Sequence, residues 1–264
     1  MATPALRTVP PPTPSRDWAL FLDVDGCLLD FASTPGGVHV PEGLTDVLGD
    51  LHGALDGALA LVSGRPLAQL DALFAPLHLP AAGLHGLQIR SHNDVVDITG
   101  EVPPALLALR FAAQALAAKF PGAVVEDKGT SLALHWRGAP AAEEPLHEMA
   151  TSALTTLPGY HLQPGNQVIE VRPDGSDKGT AITRLMAKEP FAGRTPVFVG
   201  DDLTDEHGFA AVNALDGISI LVGGRMPNAA RFHLHDPAAL RDWLREAAAS
   251  LSRRSTATHP GAPA

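Results

Sequence analysis

Short, unbroken apolar runs alternate here with helical stripes, and that alternation is the strongest constraint on the fold. Ala19-Leu20-Phe21-Leu22 runs straight into Asp23, and Leu44, Val47, Leu48 and Leu51 then recur at helical spacing. Ala58-Leu59-Ala60-Leu61-Val62 ends at Ser63, followed by a second stripe of Leu67, Leu70, Leu73 and Phe74. The rhythm returns late in the chain. A helix is expected around Gly179–Met186, then Val197-Phe198-Val199 leading to Asp201, a helix near Asp205–Val212, the run Ile218–Val222, and a last helix over Pro237–Ser250. Continuous apolar runs of this length suit strands buried on both faces, and hence a Rossmann-like α/β core with a parallel sheet flanked by helices.

The middle of the chain reads differently. A helix over Pro104–Lys119 precedes two short runs, Ala123–Glu126 and Ser131–Trp136. A second helix over Glu143–Leu157 precedes Tyr160–Gln163 and Val168–Val171, with a turn expected at Pro164-Gly165-Asn166. Helix, hairpin, helix, hairpin makes an α+β layer, one sheet under two helices. The expected organisation is a discontinuous core of residues 17–100 and 174–251 with an inserted cap at 101–173. Two adjacent crossings near Thr99–Pro103 and Arg172–Ser176 would form a hinge. Residues 1–16, with five prolines, and the small polar residues 252–264 read as disordered tails.

Composition narrows the class. Lys+Arg 19 against Asp+Glu 29 leaves a net charge of −10, which argues against nucleic acid or an anionic membrane as partner. Hydrophobic residues at 45% and charged residues at 18% exclude wholesale disorder. Cys27 is the single cysteine, so neither an internal disulfide nor a cysteine-based zinc site can form. With no leader and no apolar run of membrane-spanning length, a cytoplasmic location is the expectation.

In an open parallel sheet, ligands bind beyond the carboxyl ends of the strands, so four segments distant in sequence are expected to converge. In Phe21-Leu22-Asp23-Val24-Asp25-Gly26 two carboxylates straddle a strand end. Asp23 suits a nucleophile and Asp25 a general acid and base, although an acidic turn with an Asp cap accounts for these residues equally well. Ser63-Gly64-Arg65-Pro66 can seat an anion on a hydroxyl and helix N–H groups; taken alone, a plain N-cap is the simpler reading. Lys178, in the first turn of a helix, opposes the helix dipole unless an anion lies beside it. Gly200-Asp201-Asp202-Leu203-Thr204-Asp205-Glu206 carries four carboxylates in six residues, an expensive cluster unless a hard cation uses it. Asp201 is expected to bind such a cation directly and Asp202 through water, with Thr204 and Asp205 left to cap the helix. The 12 histidines show no His-x-x-x-His spacing, so none is assigned to metal.

These four segments, in this order, resemble the haloacid-dehalogenase superfamily of aspartate-nucleophile phosphatases. Ala82-Gly83-Leu84-His85-Gly86, Glu126-Asp127-Lys128, Leu134-His135-Trp136-Arg137 and Val168-Ile169-Glu170-Val171-Arg172-Pro173 extend the resemblance to its trehalose-6-phosphate phosphatase family. The resemblance implies a Mg²⁺-dependent phosphatase that hydrolyses trehalose 6-phosphate through an aspartyl phosphate on Asp23. It implies that Asp25 protonates the leaving oxygen and then activates water. Ser63 and Lys178 would hold the phosphoryl oxygens, and Mg²⁺ would be held by Asp23, the Asp25 carbonyl, Asp201 and, through water, Asp202. Substrate contacts are implied at Ser63, Gly64, Arg65, His85, Glu126, Lys128, Asn166, Glu170 and Lys178. Two positions depart from the pattern: Cys27 stands where the superfamily most often has Thr, and Asn166 where many of these phosphatases have Lys. The expected partner is a small sugar phosphate as substrate, and the protein is expected to be a monomer. The rival readings are a phosphatase for another sugar phosphate, such as sucrose phosphate, and a catalytically silent phosphosugar-binding regulator.

Overall fold

The computed structural model describes residues 9–30, 37–91, 95–97 and 100–256. The first part of the chain forms β1 (Trp18–Leu22), α1 (Leu44–Ala54), β2 (Leu59–Val62), α2 (Leu67–Phe74), β3 (Ala81–Gly83), β4 (Gln88–Arg90) and β5 (Val95–Asp97). The middle forms α3 (Pro104–Ala117), β6 (Val124–Asp127), β7 (Leu132–His135), α4 (Glu143–Ala153), β8 (Tyr160–Gly165) and β9 (Val168–Pro173). The last part forms α5 (Lys178–Met186), β10 (Thr195–Gly200), α6 (Glu206–Ala214), β11 (Ile218–Val222), β12 (Phe232–Leu234) and α7 (Pro237–Thr256).

Eight strands make one sheet in the order β12-β11-β10-β1-β2-β3-β4-β5. Its first six members are parallel, and β4 and β5 add an antiparallel hairpin at the far edge. All residues of β1 and β2 are buried, as expected of strands covered on both faces. The chain proceeds outward from β1 to β2 on one side, and later from β10 to β11 on the other. The strand order therefore reverses between β1 and β10, which opens a crevice at their carboxyl ends.

β6, β7, β9 and β8 form a separate antiparallel sheet. Side chains alternate across it with period two. Val125, Leu132, Leu134, Ile169 and Val171 pack under α3 and α4 with Leu106, Leu109 and Leu146. Val124, Glu126, Ala133, His135, Val168 and Glu170 face the other way, into a cavity shared with the first sheet. The expected α/β core with an inserted α+β cap is thus the architecture observed.

Several sequence expectations are corrected. Residues 9–16 are not loose: Val9 O accepts from His233 N at 3.0 Å, Pro14 is buried, and Arg16 Nη2 donates to Leu251 O at 2.9 Å. Prolines remove donors but leave carbonyls, so an extended proline-rich segment can still accept hydrogen bonds along the edge strand β12. The last helix runs to Thr256 instead of ending at Ser250, because Ala247, Ala248 and Leu251 continue its buried stripe. The second cap hairpin turns one step later than expected, at Asn166-Gln167, with Gln167 at φ 61°. The expected tails at 1–8 and 257–264, and part of the first crossing at residue 99, lie outside the described residues. No helix among the described residues is long and apolar enough to cross a membrane.

Candidate active site

Asp23 is the first residue beyond β1, and its backbone N–H continues the ladder by donating to Val199 O of β10 at 2.9 Å. Its side chain is buried beside that of Lys178. Lys178 opens α5, where Asp177 caps the helix through a reciprocal pair with Thr180. That cap fixes the first turn and sends the lysine stem across to the strand ends. Lys178 Nζ donates to Asp23 Oδ1 at 2.8 Å and to Asp205 Oδ1 at 2.6 Å. Burial works against the ammonium charge, but Asp205 and Asp23 outweigh it and hold Lys178 well above the usual lysine range.

Asp205 completes a capping box with Asp202, as the sequence leads one to expect, and it has a second role as well. It belongs to the 3-10 turn Leu203–Asp205 and is fully buried. Its Oδ2 accepts from the backbone N–H groups of Asp201 and Asp202, at 2.8 and 2.9 Å, while Oδ1 takes Lys178. Asp202 is the capping residue: its Oδ1 accepts from Thr204 N at 2.8 Å and Thr204 Oγ1 at 2.6 Å. The carboxylates that gather are Asp23, Asp201 and Asp205, with one oxygen of each within 4.8 Å of the others. Asp202 lines the same cavity but stands outside this group. The sequence does carry a signal for Asp205. Gly200 is the only residue type that fits there, since a Cβ would overlap the Asp205 carboxyl carbon.

Two buried carboxylates and the half-buried Asp201 gather near one ammonium, so the cluster cannot be fully ionised alone. Burial, with Asp23 and Asp205 alongside, pushes Asp201 up to about 10. Burial raises Asp205 to about 6 against the pull of Lys178, and burial together with Asp205 raises Asp23. Asp201 Oδ1 is buried without a hydrogen-bond partner. An all-oxygen donor set with excess negative charge and an orphaned acceptor fits a hard divalent cation.

Asp25 and Arg65 form a fork. Arg65 Nε donates to Asp25 Oδ2 and Nη2 to Oδ1, each at 2.7 Å. Arg65 follows Ser63, a buried residue at the end of β2 whose Oγ accepts from Arg65 N at 3.1 Å. Gly26, at φ 80°, allows the sharp turn after Asp25, closed by Gly26 N to Leu29 O at 2.8 Å. Burial opposes the Arg65 charge, and the Asp25 carboxylate more than compensates. Asp23, Asp25, Ser63, Gly64, Arg65 and Lys178 all line one cavity.

The cap supplies the opposite wall. Glu126 lies on β6, Lys128 just beyond it, Glu170 on β9 and Asn166 at the β8–β9 turn, and all four line that cavity with His85. Glu126 Oε2 is 3.0 Å from His135 Nε2, a contact that, with Lys128, holds Glu126 below the usual carboxylate range although burial opposes it. Arg137 Nη2 donates to Asn166 O at 3.2 Å, so this turn is tied down by its backbone. Sequence reasoning missed His135 and Gln163 as lining residues. It also missed Arg225, whose guanidinium donates to Asp201 O at 3.3 Å and pairs with Glu206.

A strand-end aspartate beside a lysine and an acidic cluster, on a parallel sheet roofed by an α+β cap, is the arrangement of haloacid-dehalogenase-type phosphatases. The chain belongs to the trehalose-phosphatase family, whose model matches residues 21–238. It is 43% identical over 213 residues to the trehalose-6-phosphate phosphatase of Escherichia coli (strain K12), covering 80% of each chain. Against the probable trehalose-phosphate phosphatase of Sinorhizobium fredii (strain NBRC 101917 / NGR234) it is 42% identical over 212 residues, again 80% of each. The solved C-terminal domain of Candida albicans trehalose-6-phosphate phosphatase superposes with a TM-score of 0.77 at 21% identity. That match covers 89% of this chain and 93% of the other, and carries the fold.

Proposed function

We propose that this chain hydrolyses trehalose 6-phosphate to trehalose and phosphate, with Asp23 as nucleophile and Mg²⁺ as cofactor. The observation that carries the reading is one cavity with two kinds of wall. Its core side presents Asp23, Asp25, Lys178 and Asp202, and its cap side presents Glu126, Lys128 and Glu170. The first set suits a phosphoryl group, and the second suits hydroxyls, which both donate and accept hydrogen bonds.

An Asp23 oxygen attacks phosphorus in line, and the bond from phosphorus to the sugar oxygen breaks. The leaving oxygen takes a proton from Asp25. Asp25 then accepts a proton from water, whose oxygen attacks the phosphorus of the aspartyl phosphate and frees Asp23 and phosphate. Ser63 and Lys178 hold the phosphoryl oxygens, and the Lys178 charge offsets the repulsion between nucleophile and phosphate. Asp23, Asp201, Asp205 and the Asp25 carbonyl would hold Mg²⁺, with Asp202 reaching it through water. When bound, the cation neutralises charge on the phosphoryl oxygens. In the fork with Arg65, Asp25 is an acceptor, so it must part from the guanidinium to act as an acid. Arg65 then becomes available to the substrate's phosphate.

The same proposal takes the protein as a cytoplasmic monomer working on a small soluble substrate. Phosphate release from trehalose 6-phosphate, sucrose 6-phosphate and a small aryl phosphate, with and without Mg²⁺, tests it. The expected result is Mg²⁺-dependent turnover that is fastest on trehalose 6-phosphate. Preference for sucrose 6-phosphate, or no turnover on any of them, would support one of the rival readings.

A further inference from the structure

We infer that His85 is a positioning residue that latches the cap onto the phosphate seat by donating from Nε2 to Glu170. Family resemblance sets both residues on the substrate, but the geometry joins them to each other across the two sheets. Glu170, on the cap strand β9, takes Ser131 Oγ at 2.7 Å and Lys128 Nζ at 3.1 Å from the β6–β7 turn of the cap. Its third partner comes from the core: His85 Nε2 lies 3.3 Å from Glu170 Oε2. Both side chains are about nine-tenths buried. Three donors leave one of a carboxylate's four acceptor positions open, so Glu170 is mostly occupied by protein.

The tautomer follows from the partner. Glu170 is an ionised acceptor, held well below its usual range by Lys128, His85 and Ser131 although burial opposes its charge. Nε2 must therefore carry the proton, and Nδ1, buried without a partner, is a bare acceptor.

The core end of the latch is built into the phosphate seat. His85 N donates to Ser63 O at 2.9 Å. Its ring covers Gly64 so closely that a Cβ there would lie 2.6 Å from Nε2. His85 and Leu84 both hold left-handed backbone, at φ 53° and 49°, a conformation that non-glycine residues keep only where their surroundings enforce it. A second link runs beside the first: Arg172 of β9 donates to Ser176 O at 2.6 Å, and Ser176 Oγ donates to His85 O at 3.3 Å. The seat for the phosphoryl group and the floor for the sugar thus meet at one imidazole. Closing the cap makes a charge-assisted bond that opening it breaks.

The test compares the full-length wild type with His85→Ala, His85→Gln, Glu170→Gln and the double variant His85→Ala/Glu170→Gln. Glutamine carries an amide donor about as far from the backbone as Nε2, so it preserves the latch. Small-angle scattering without substrate should show a larger radius of gyration for His85→Ala than for wild type, and a wild-type radius for His85→Gln. The kinetic arm rests on the trehalose 6-phosphate reading. There kcat/KM should fall roughly 10- to 100-fold in His85→Ala and recover to within about fivefold in His85→Gln. The double variant should lose no more than the worse single one. An unchanged radius in His85→Ala, or losses that multiply in the double variant, overturns the latch. Should the alanine variant not fold, His85→Asn, whose amide falls one methylene short, replaces it. A wild type inactive on trehalose 6-phosphate sinks the functional reading, and the scattering comparison still decides the latch.

Discussion

Lys178 Nζ sits between Asp23 and Asp205, 2.8 Å from one carboxylate and 2.6 Å from the other. One buried ammonium therefore ties the end of β1 to the turn after β10, across the point where the strand order reverses. Removing it leaves two buried acids facing each other with no counter-charge. Lys178→Ala should lower the urea midpoint by an amount equivalent to about 3–5 kcal/mol and abolish turnover on every phosphate ester alike. A variant as stable as wild type would show that the bridge is not structural.

The acidic cluster defines a metal prediction. Asp205→Asn keeps the shape of the buried side chain but removes one of the three charges. Mg²⁺ titrated by calorimetry should bind the variant at least about tenfold more weakly. Zn²⁺ should replace Mg²⁺ poorly in turnover, because the cluster offers neither sulfur nor nitrogen. Unchanged Mg²⁺ affinity would place the cation elsewhere.

How much of this was legible in the sequence depends on the distance over which each feature is determined. The strands β1, β2, β10 and β11 announce themselves as apolar runs, and their terminal residues Asp23, Ser63 and Asp201 follow directly. The inward face of the cap was found through resemblance, since a Glu on a short strand reads equally well as a surface charge. The second role of Asp205, as partner of Lys178, was hidden because an acid in the first turn of a helix has an ordinary use as a cap, which Asp205 also fills. Only the Lys178 and Gly200 contacts reveal the other role, and these are tertiary. The β4–β5 hairpin was missed because three-residue strands carry too little periodicity to register. The docking of residues 9–16 was missed because a proline-rich segment shows no pattern until an edge strand is present to receive it.

The buried imidazole predicts an acid-side loss of stability. Burial, despite the Glu170 carboxylate beside it, lowers His85 from 6.5 to about 4. A folded value below the unfolded one means that the unfolded chain binds the proton first. The contribution is fully present above pH 6.5 and is lost progressively as pH falls towards about 4. The melting temperature should decline over that window, and the decline should be shallower in His85→Gln, which has nothing to titrate. Parallel curves for the two proteins would refute the assignment.

The cap contacts should separate sugar recognition from phosphoryl chemistry. Losing the Glu126 carboxylate removes its contact with His135 and, on the proposed reading, hydrogen bonds to sugar hydroxyls that an aryl phosphate does not offer. Glu126→Ala should therefore lose roughly 5- to 150-fold in kcat/KM on trehalose 6-phosphate. The loss on a small aryl phosphate should be several-fold smaller. Equal proportional losses on both substrates would mean that Glu126 supports the structure instead of reading the sugar.

If Asp23 carries the phosphoryl group in transit, rapid quench of the Mg²⁺-loaded enzyme with trehalose 6-phosphate will catch it there. Acid-quenched protein, digested and sequenced by mass spectrometry, should hold phosphate on Asp23 and on no other residue. Asp23→Asn should show neither the adduct nor turnover, with a loss of more than about 1,000-fold. An adduct on a different side chain, or an Asp23→Asn variant that still turns over at a comparable rate, would exclude Asp23 as the nucleophile.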